Sequence, residues 1–284
     1  MSEIPKMYVR FPLPRRIEHI TLLSTFIILA ATGLPQKYPT SPISVFIVQT
    51  LGGIENLYDI HHVATVIVMI AVIYHLLTIG YQVFVLRSRW SMMLSIQDVK
   101  DGLQALFYNL GFTKSHPKMG RYTFDEKLEY WAFVWGYTVM AVTGFIMWNP
   151  ISATRWIPGE FVPAAKAAHG GEAVLAVLAI LVWHMYHVRI KRTNNSMFSG
   201  KLKEEYMKAD HPLELEEIEA GVADRRPDSA TLRKRQMVYY PLAAIFAVIM
   251  LFGAYQYITL ENTALTTIPP ISQTAESPVA TPQP

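Results

Sequence analysis

The 284-residue chain contains no cysteine. That excludes thioether-linked haem, cysteine-ligated iron–sulfur clusters, thiolate zinc and disulfides, so any metal must be held by histidine, methionine or carboxylate. Charge is also scarce. Only 17% of residues are Asp, Glu, Lys or Arg, against about 25% in typical soluble domains. No phosphate-cradling G-x-G-x-x-G or G-x-x-x-x-G-K-[ST] loop occurs. The opening stretch, MSEIPKMYVRFPLPRR, has no short apolar core or small-residue cleavage site, so no cleavable leader is expected.

What the chain has in excess is apolar: 51% of it is hydrophobic, in long uncharged runs. Five of these, about 20–34, 60–86, 130–148, 167–188 and 239–258, approach the ~20 residues that cross a bilayer. Helices of a soluble bundle would keep a charged face; these runs carry almost no charge. The expected fold is an all-α integral membrane protein, a four-helix transmembrane bundle within residues 1–190 plus a fifth, C-terminal transmembrane helix at 239–258. Residues 191–236 read as a charged cytoplasmic helix and linker. Residues 259–284 form a Pro/Thr/Ser-rich tail that has too few large apolar groups to fold alone.

Lysine and arginine alternate strictly between connectors, 22 on one side and 3 (Lys37, Arg155, Lys166) on the other. The positive-inside rule then places the N-terminus in the cytoplasm and the C-terminus outside. The charged connectors imply no nucleic acid, since mixed runs of this kind are solvated faces.

The stretch AHGGEAVLAVLAILVWHMYH (168–187) carries the chemistry. On a helix His169 and His184 lie roughly 22 Å apart along the axis and about 60° apart around it, close to one face. His61 and His75, 14 positions apart and about 40° from a shared face, lie on the second span, which runs parallel to the fourth. His61 and His169 therefore share an external level. His19, His75, His184 and His187 share a cytoplasmic level, with more candidates than one pair needs. His116 and His211 fall in cytoplasmic loops and read as surface residues. Ionisable side chains at membrane depth are functional candidates. Histidines sorted by twos at two depths suit bis-histidine haem, in which the porphyrin supplies the equatorial nitrogens; zinc needs three or four converging protein ligands. The four spans read as a haem-binding bundle. Arg15, Arg16 and Arg189 are candidate partners for haem propionates at the cytoplasmic level.

These residues sit in longer matching stretches: RRIEHITLLSTFIILAATGLP, IHHVATVIVM, RYTFDEKLEYW with TGFIMWNP, the fourth span, and ADHPLELEEIE. Over about 15–219 the chain resembles the membrane cytochrome b subunits of formate dehydrogenases, b-type hydrogenase cytochromes and thiosulfate reductases. The resemblance implies two b haems, the outer on His61 and His169 and the inner on His19 and His184. It implies electron transfer between an external redox subunit, such as an iron–sulfur or multihaem cytochrome protein, and a quinone (menaquinone or ubiquinone) near the cytoplasmic side. Tyr122, Thr123, Asp125 and Lys127 are the quinone candidates. It also implies a bacterial or archaeal cytoplasmic membrane. The chain departs from the pattern in His75, His187, the fifth span and the tail. The spacing of His61–His75 and His169–His184 also resembles the cytochrome b of quinol–cytochrome c oxidoreductases, which leaves His75 as an alternative inner ligand, or His75 and His187 as ligands of a third haem. A non-redox membrane anchor and a transporter using histidine and Glu172 are the competing classes. Transporters of that kind are built from repeats, and no convincing repeat is legible.

Overall fold

A computed structural model describes residues 6–223 and 227–261; the tail from 262 onward lies outside the described residues. Five helices are long and apolar enough to cross a membrane. They are α1 (Leu13–Lys37), α3 (Ile54–Leu86), α5 (Phe124–Trp148), α7 (Phe161–Lys191) and α11 (Ser229–Thr259). Each begins or ends beyond its apolar run, because polar first turns such as Phe124–Glu129 continue the helix past the hydrocarbon. Large side chains along their flanks stay exposed, Leu175 and Val182 on α7 and Leu242 and Ile249 on α11 among them, as a lipid-facing surface requires.

Between the spans, α2 (Pro42–Thr50) fills the connector from α1 to α3 and α6 (Pro150–Ala153) that from α5 to α7. At the opposite end of the spans lie α4 (Ile96–Asn109), α8 (Ser196–Ser199), α9 (Glu204–Asp210) and α10 (Pro212–Glu219). The main packing is α1 on α3 and α5 on α7, with α1 also touching α7. The fifth span leans on α3 at its start, where Tyr239 Oη donates to the Leu77 carbonyl and Arg235 to that of Val85 (3.0 Å). At its far end it meets α5, where Asn149 Nδ2 donates to the Tyr257 carbonyl (2.8 Å) and Tyr257 Oη to that of Ala141 (3.1 Å).

The segments at the α4 end of the spans form a packed cap rather than the solvated linker expected from their charge. β1 (Met7–Val9) pairs antiparallel with β2 (Lys201–Lys203), over a small core of Tyr8, Leu202, Met207 and Leu215. Beside it, the buried Arg10 donates to Glu214, whose other oxygen accepts from Arg121 at 2.5 Å. His211 is not the surface residue the sequence suggests; it is 2% exposed. Its Nδ1–H donates to the Gly120 carbonyl (3.0 Å), and Nε2 lies 3.3 Å from Arg10 Nη2. Burial, reinforced by the Arg10 charge, pulls its pKa down to about 4. A free histidine protonates near pH 6.5, so between pH 6.5 and 4 the unfolded chain binds a proton that the fold excludes. This contribution, up to about 3 kcal/mol, is fully present above pH 6.5 and is lost as the pH falls toward 4. Hydrogen exchange in residues 201–219 should therefore quicken over that window, and His211→Gln should flatten the dependence. Exchange that does not vary with pH once intrinsic rates are divided out would contradict this.

Helix α4 divides its surface three ways at 100° per residue. Ile96, Val99, Leu103, Leu106 and Leu110 form one exposed apolar stripe. Asp98 and Gly102 face α5: Asp98 caps α4 through Ser95 and pairs with Lys127 at 2.6 Å, and a methyl group at Gly102 would lie 2.7 Å from the Phe124 ring. Gln97, Lys100, Asp101 and Gln104 take the third side. A helix docked on the first turn of a span, with one apolar, one protein and one polar face, lies in the membrane interface. The chain's lack of cysteine allows a direct check. A nitroxide on Leu103→Cys should be relaxed by oxygen from the lipid phase, and one on Gln104→Cys by a water-soluble nickel chelate. Equal exposure of both to water would contradict the placement.

Candidate functional site

The outer level is built from two matching sets of residues. Thr32 on α1 donates its hydroxyl proton to the Ile28 carbonyl four residues back (2.7 Å), and its oxygen lies 2.8 Å from His61 Nδ1. A hydroxyl has one proton to give, so its lone pair must accept Nδ1–H. His61 is thereby held in the tautomer whose Nε2 is bare, the form that ligates a metal. Thr143 on α5 does the same for α7, donating to the Val139 carbonyl at 2.6 Å and accepting from His169 Nδ1 at 2.9 Å. The glycine after each threonine makes room for the ring. A methyl group at Gly33 would lie 3.2 Å from His61 Cε1, and one at Gly144 would lie 3.5 Å from His169 Cε1. Nearby, a methyl at Gly170 would meet Lys37 Nζ at 3.1 Å, so this lysine reaches the outer level.

At the inner level, His19 and His184 face each other with ring centroids 6.5 Å apart and planes tilted by 38°. Two metal–nitrogen bonds of about 2 Å plus the two half-rings span roughly 6 to 6.5 Å, so the gap fits one iron. His184 Nδ1 donates to Glu129 Oε2 at 2.8 Å, which again leaves Nε2 bare. The buried Nδ1 of His19 has no hydrogen-bond partner among the described residues. Among the described residues, no three His, Asp or Glu side chains converge as a metal cluster. The donors come in twos, which suits a group bringing its own equatorial ligands.

The other histidines are engaged. His75 Nδ1 lies 2.9 Å from Glu18 Oε2, and its Nε2 lies 3.2 Å from Tyr130 Oη. His187 Nδ1 donates to the Trp183 carbonyl (2.9 Å), and its Nε2 is 3.6 Å from Asp125. His62 stacks on Trp148 at 3.8 Å. Glu172 lies against α5, where a methyl at Gly136 would be 2.6 Å from its Oε1.

The four quinone candidates are not brought to one point. Tyr122 lies under the Arg10 and Arg121 guanidinium groups. Thr123 caps α5 in a capping box with Glu126. Lys127 is paired with Asp98. Asp125 alone turns toward the inner level, where the oxygen near His187 also lies 4.0 Å from Lys191 Nζ. Of the propionate candidates, Arg15 holds Glu18 (2.8 Å), Arg16 donates to the Phe198 carbonyl and Arg189 to Asn195 (2.6 Å). Sequence reasoning missed Thr32, Thr143, Glu129 and Lys37. The one available signal was the Thr-Gly pair near the outer end of both the first and third spans.

The family model described as prokaryotic cytochrome b561 matches residues 10–200. The cytochrome b556(Fdn) subunit of the nitrate-inducible formate dehydrogenase of Escherichia coli K12 is 24% identical over 224 residues. That alignment covers 78% of this chain and 97% of the relative. The cytochrome b556(fdo) subunit of formate dehydrogenase from the same strain is 26% identical over 218 residues, covering 74% and 92%.

Proposed function

The chain belongs to the prokaryotic cytochrome b561 family, and from that premise we propose that it is the electron-transferring membrane subunit of a respiratory oxidoreductase, linking an external redox partner to the quinone pool. The observation that carries this reading is the fixed tautomer of the outer histidines. Thr32 and Thr143, their protons already spent on backbone carbonyls, turn bare Nε2 atoms of His61 and His169 toward an iron. His19 and His184 hold the inner haem. When bound, the two b haems supply one-electron iron chemistry. The chain's part is to fix their depth, orient the axial imidazoles and exclude water. Glu129 puts a carboxylate behind His184, whereas the outer ligands have neutral hydroxyl partners. An anionic partner makes the imidazole a stronger donor and favours ferric iron. Lys37 is placed to neutralise a propionate of the outer haem.

The two relatives are by name subunits of formate dehydrogenases, so an external iron–sulfur subunit is the partner this reading favours. The N-terminus is cytoplasmic and the basic connectors lie inside. The purified holoprotein should show a b-type α-band on reduction, and added menadione or ubiquinone-1 should bleach it. No α-band, or a band that neither quinone oxidises, would contradict the reading.

A further inference from the structure

The structure contains a repeat that the sequence hides. Adding 111 to the numbers of Glu18, His19, Thr32 and Gly33 on α1 gives Glu129, Tyr130, Thr143 and Gly144 on α5. The contacts repeat with the residues. Thr32–His61 (2.8 Å) matches Thr143–His169 (2.9 Å), and Glu18–His75 (2.9 Å) matches Glu129–His184 (2.8 Å). The helix pair α1–α3 is therefore duplicated as α5–α7. His61 and His169 exchange with each other under this relation. The inner pair does not: His19 and His184 map onto Tyr130 and His75.

That second pair keeps the geometry of the first. The Tyr130 and His75 rings are 6.0 Å apart and tilted by 49°, against 6.5 Å and 38° for His19 and His184. The chemistry differs. Glu18, held by Arg15 (2.8 Å) and Thr78 (3.2 Å), takes the Nδ1 proton of His75. Nε2 is then an acceptor, and the Tyr130 hydroxyl 3.2 Å away donates to it. One bare nitrogen and one rotatable hydroxyl stand side by side at the cytoplasmic end of the spans. A carbonyl oxygen entering there accepts from Tyr130. A phenolic hydroxyl there donates to His75 and accepts from Tyr130. These are the two faces of one ring system, the quinone and the quinol. His75 keeps 27% of its side chain exposed, so the pair is not closed to an entering ring. Tyr130 also directly follows Glu129, the residue holding His184, so the site adjoins the inner level.

We propose that His75 and Tyr130, backed by Glu18, hold the quinone head group. The proposal rests on the reading of the chain as quinone-linked, and names the site within it. Binding of menadione and ubiquinone-1 to the holoprotein in detergent, followed by equilibrium dialysis, tests it. Tyr130→Phe and His75→Ala should each weaken binding about tenfold, one hydrogen bond's worth, with haem content unchanged. Asp125→Asn and Lys127→Gln should bind as the wild type does. Wild-type affinity in Tyr130→Phe, or weakened binding only in the Asp125 and Lys127 variants, would overturn the proposal while leaving the quinone link standing. A wild-type holoprotein that binds neither quinone would remove the link itself. Loss of the inner haem in His75→Ala would contradict the separation of the two inner pairs, and Tyr130→Phe, which removes one oxygen, would still decide the site.

Discussion

Replacing His169 with alanine should remove one haem and leave the other. On the proposed reading His169 supplies one of the two axial nitrogens at the outer level, and its loss leaves His61 alone there. Iron left with one protein ligand loses the outer haem, while His19 and His184, about 20 Å away along the helices, keep theirs. Haem per chain should fall from about two to about one, and one component should vanish from a potentiometric titration. His187→Ala, by contrast, should retain both, because its Nε2 faces Asp125 at 3.6 Å rather than a second histidine. Loss of both haems in His169→Ala would argue against separate layers, and loss of neither would argue against the ligand.

Replacing Glu214 with alanine should be the most damaging change outside the membrane. Its carboxylate sits between Arg10, whose side chain is 1% exposed, and Arg121. Without it a buried guanidinium loses its counter-charge, a loss that costs about 3–5 kcal/mol. Arg10 also donates to the Arg121 carbonyl, and Arg121 to that of Arg10 (3.0 Å), so the cap joining the N-terminal segment, the approach to α5 and the ADHPLELEEIE stretch should open together. Limited proteolysis should then cut within 201–219 while the outer haem remains bound. Glu214→Gln, which keeps acceptor capacity without the charge, should be milder. Resistance equal to the wild type in Glu214→Ala would contradict the assignment.

How far the sequence foretold this depends on the length scale of each contact. The spans and the outer histidine level followed from hydropathy and helical period, which are local properties. The inner level did not resolve, because four histidines share that depth and only tertiary contacts separate them. His75 is held by Glu18 and Tyr130, and His187 by Trp183 and Asp125. Glu18 and Glu129 stand beyond the first turns of their helices, and nothing local in the sequence marks a partner for them. Pairing across helices gives them a partner 57 and 55 positions away.

The repeat escaped notice for a definite reason. His61 and His75 are 14 positions apart, His169 and His184 are 15, and a match at fixed spacing fails. In α7 the segment Ala179–His184 is π-helical, and a π-turn holds more residues per turn than an α-turn. The extra residue is absorbed there, and the two histidines regain the relation seen in α3. His19 against Tyr130 hides the repeat further, since no residue-type comparison equates them. His211 misled in the other direction, for a loop histidine is buried only because Arg10 and Gly120, distant in sequence, close over it.

The central claim is two b haems on two pairs of histidines. Pyridine haemochrome quantification of the purified chain, with protein measured by amino-acid analysis, tests it most directly. The structure leads us to expect about two haems per chain. A chain without haem would contradict the claim outright, and three per chain would require His75 or His187 to exchange the hydrogen bonds they make for iron.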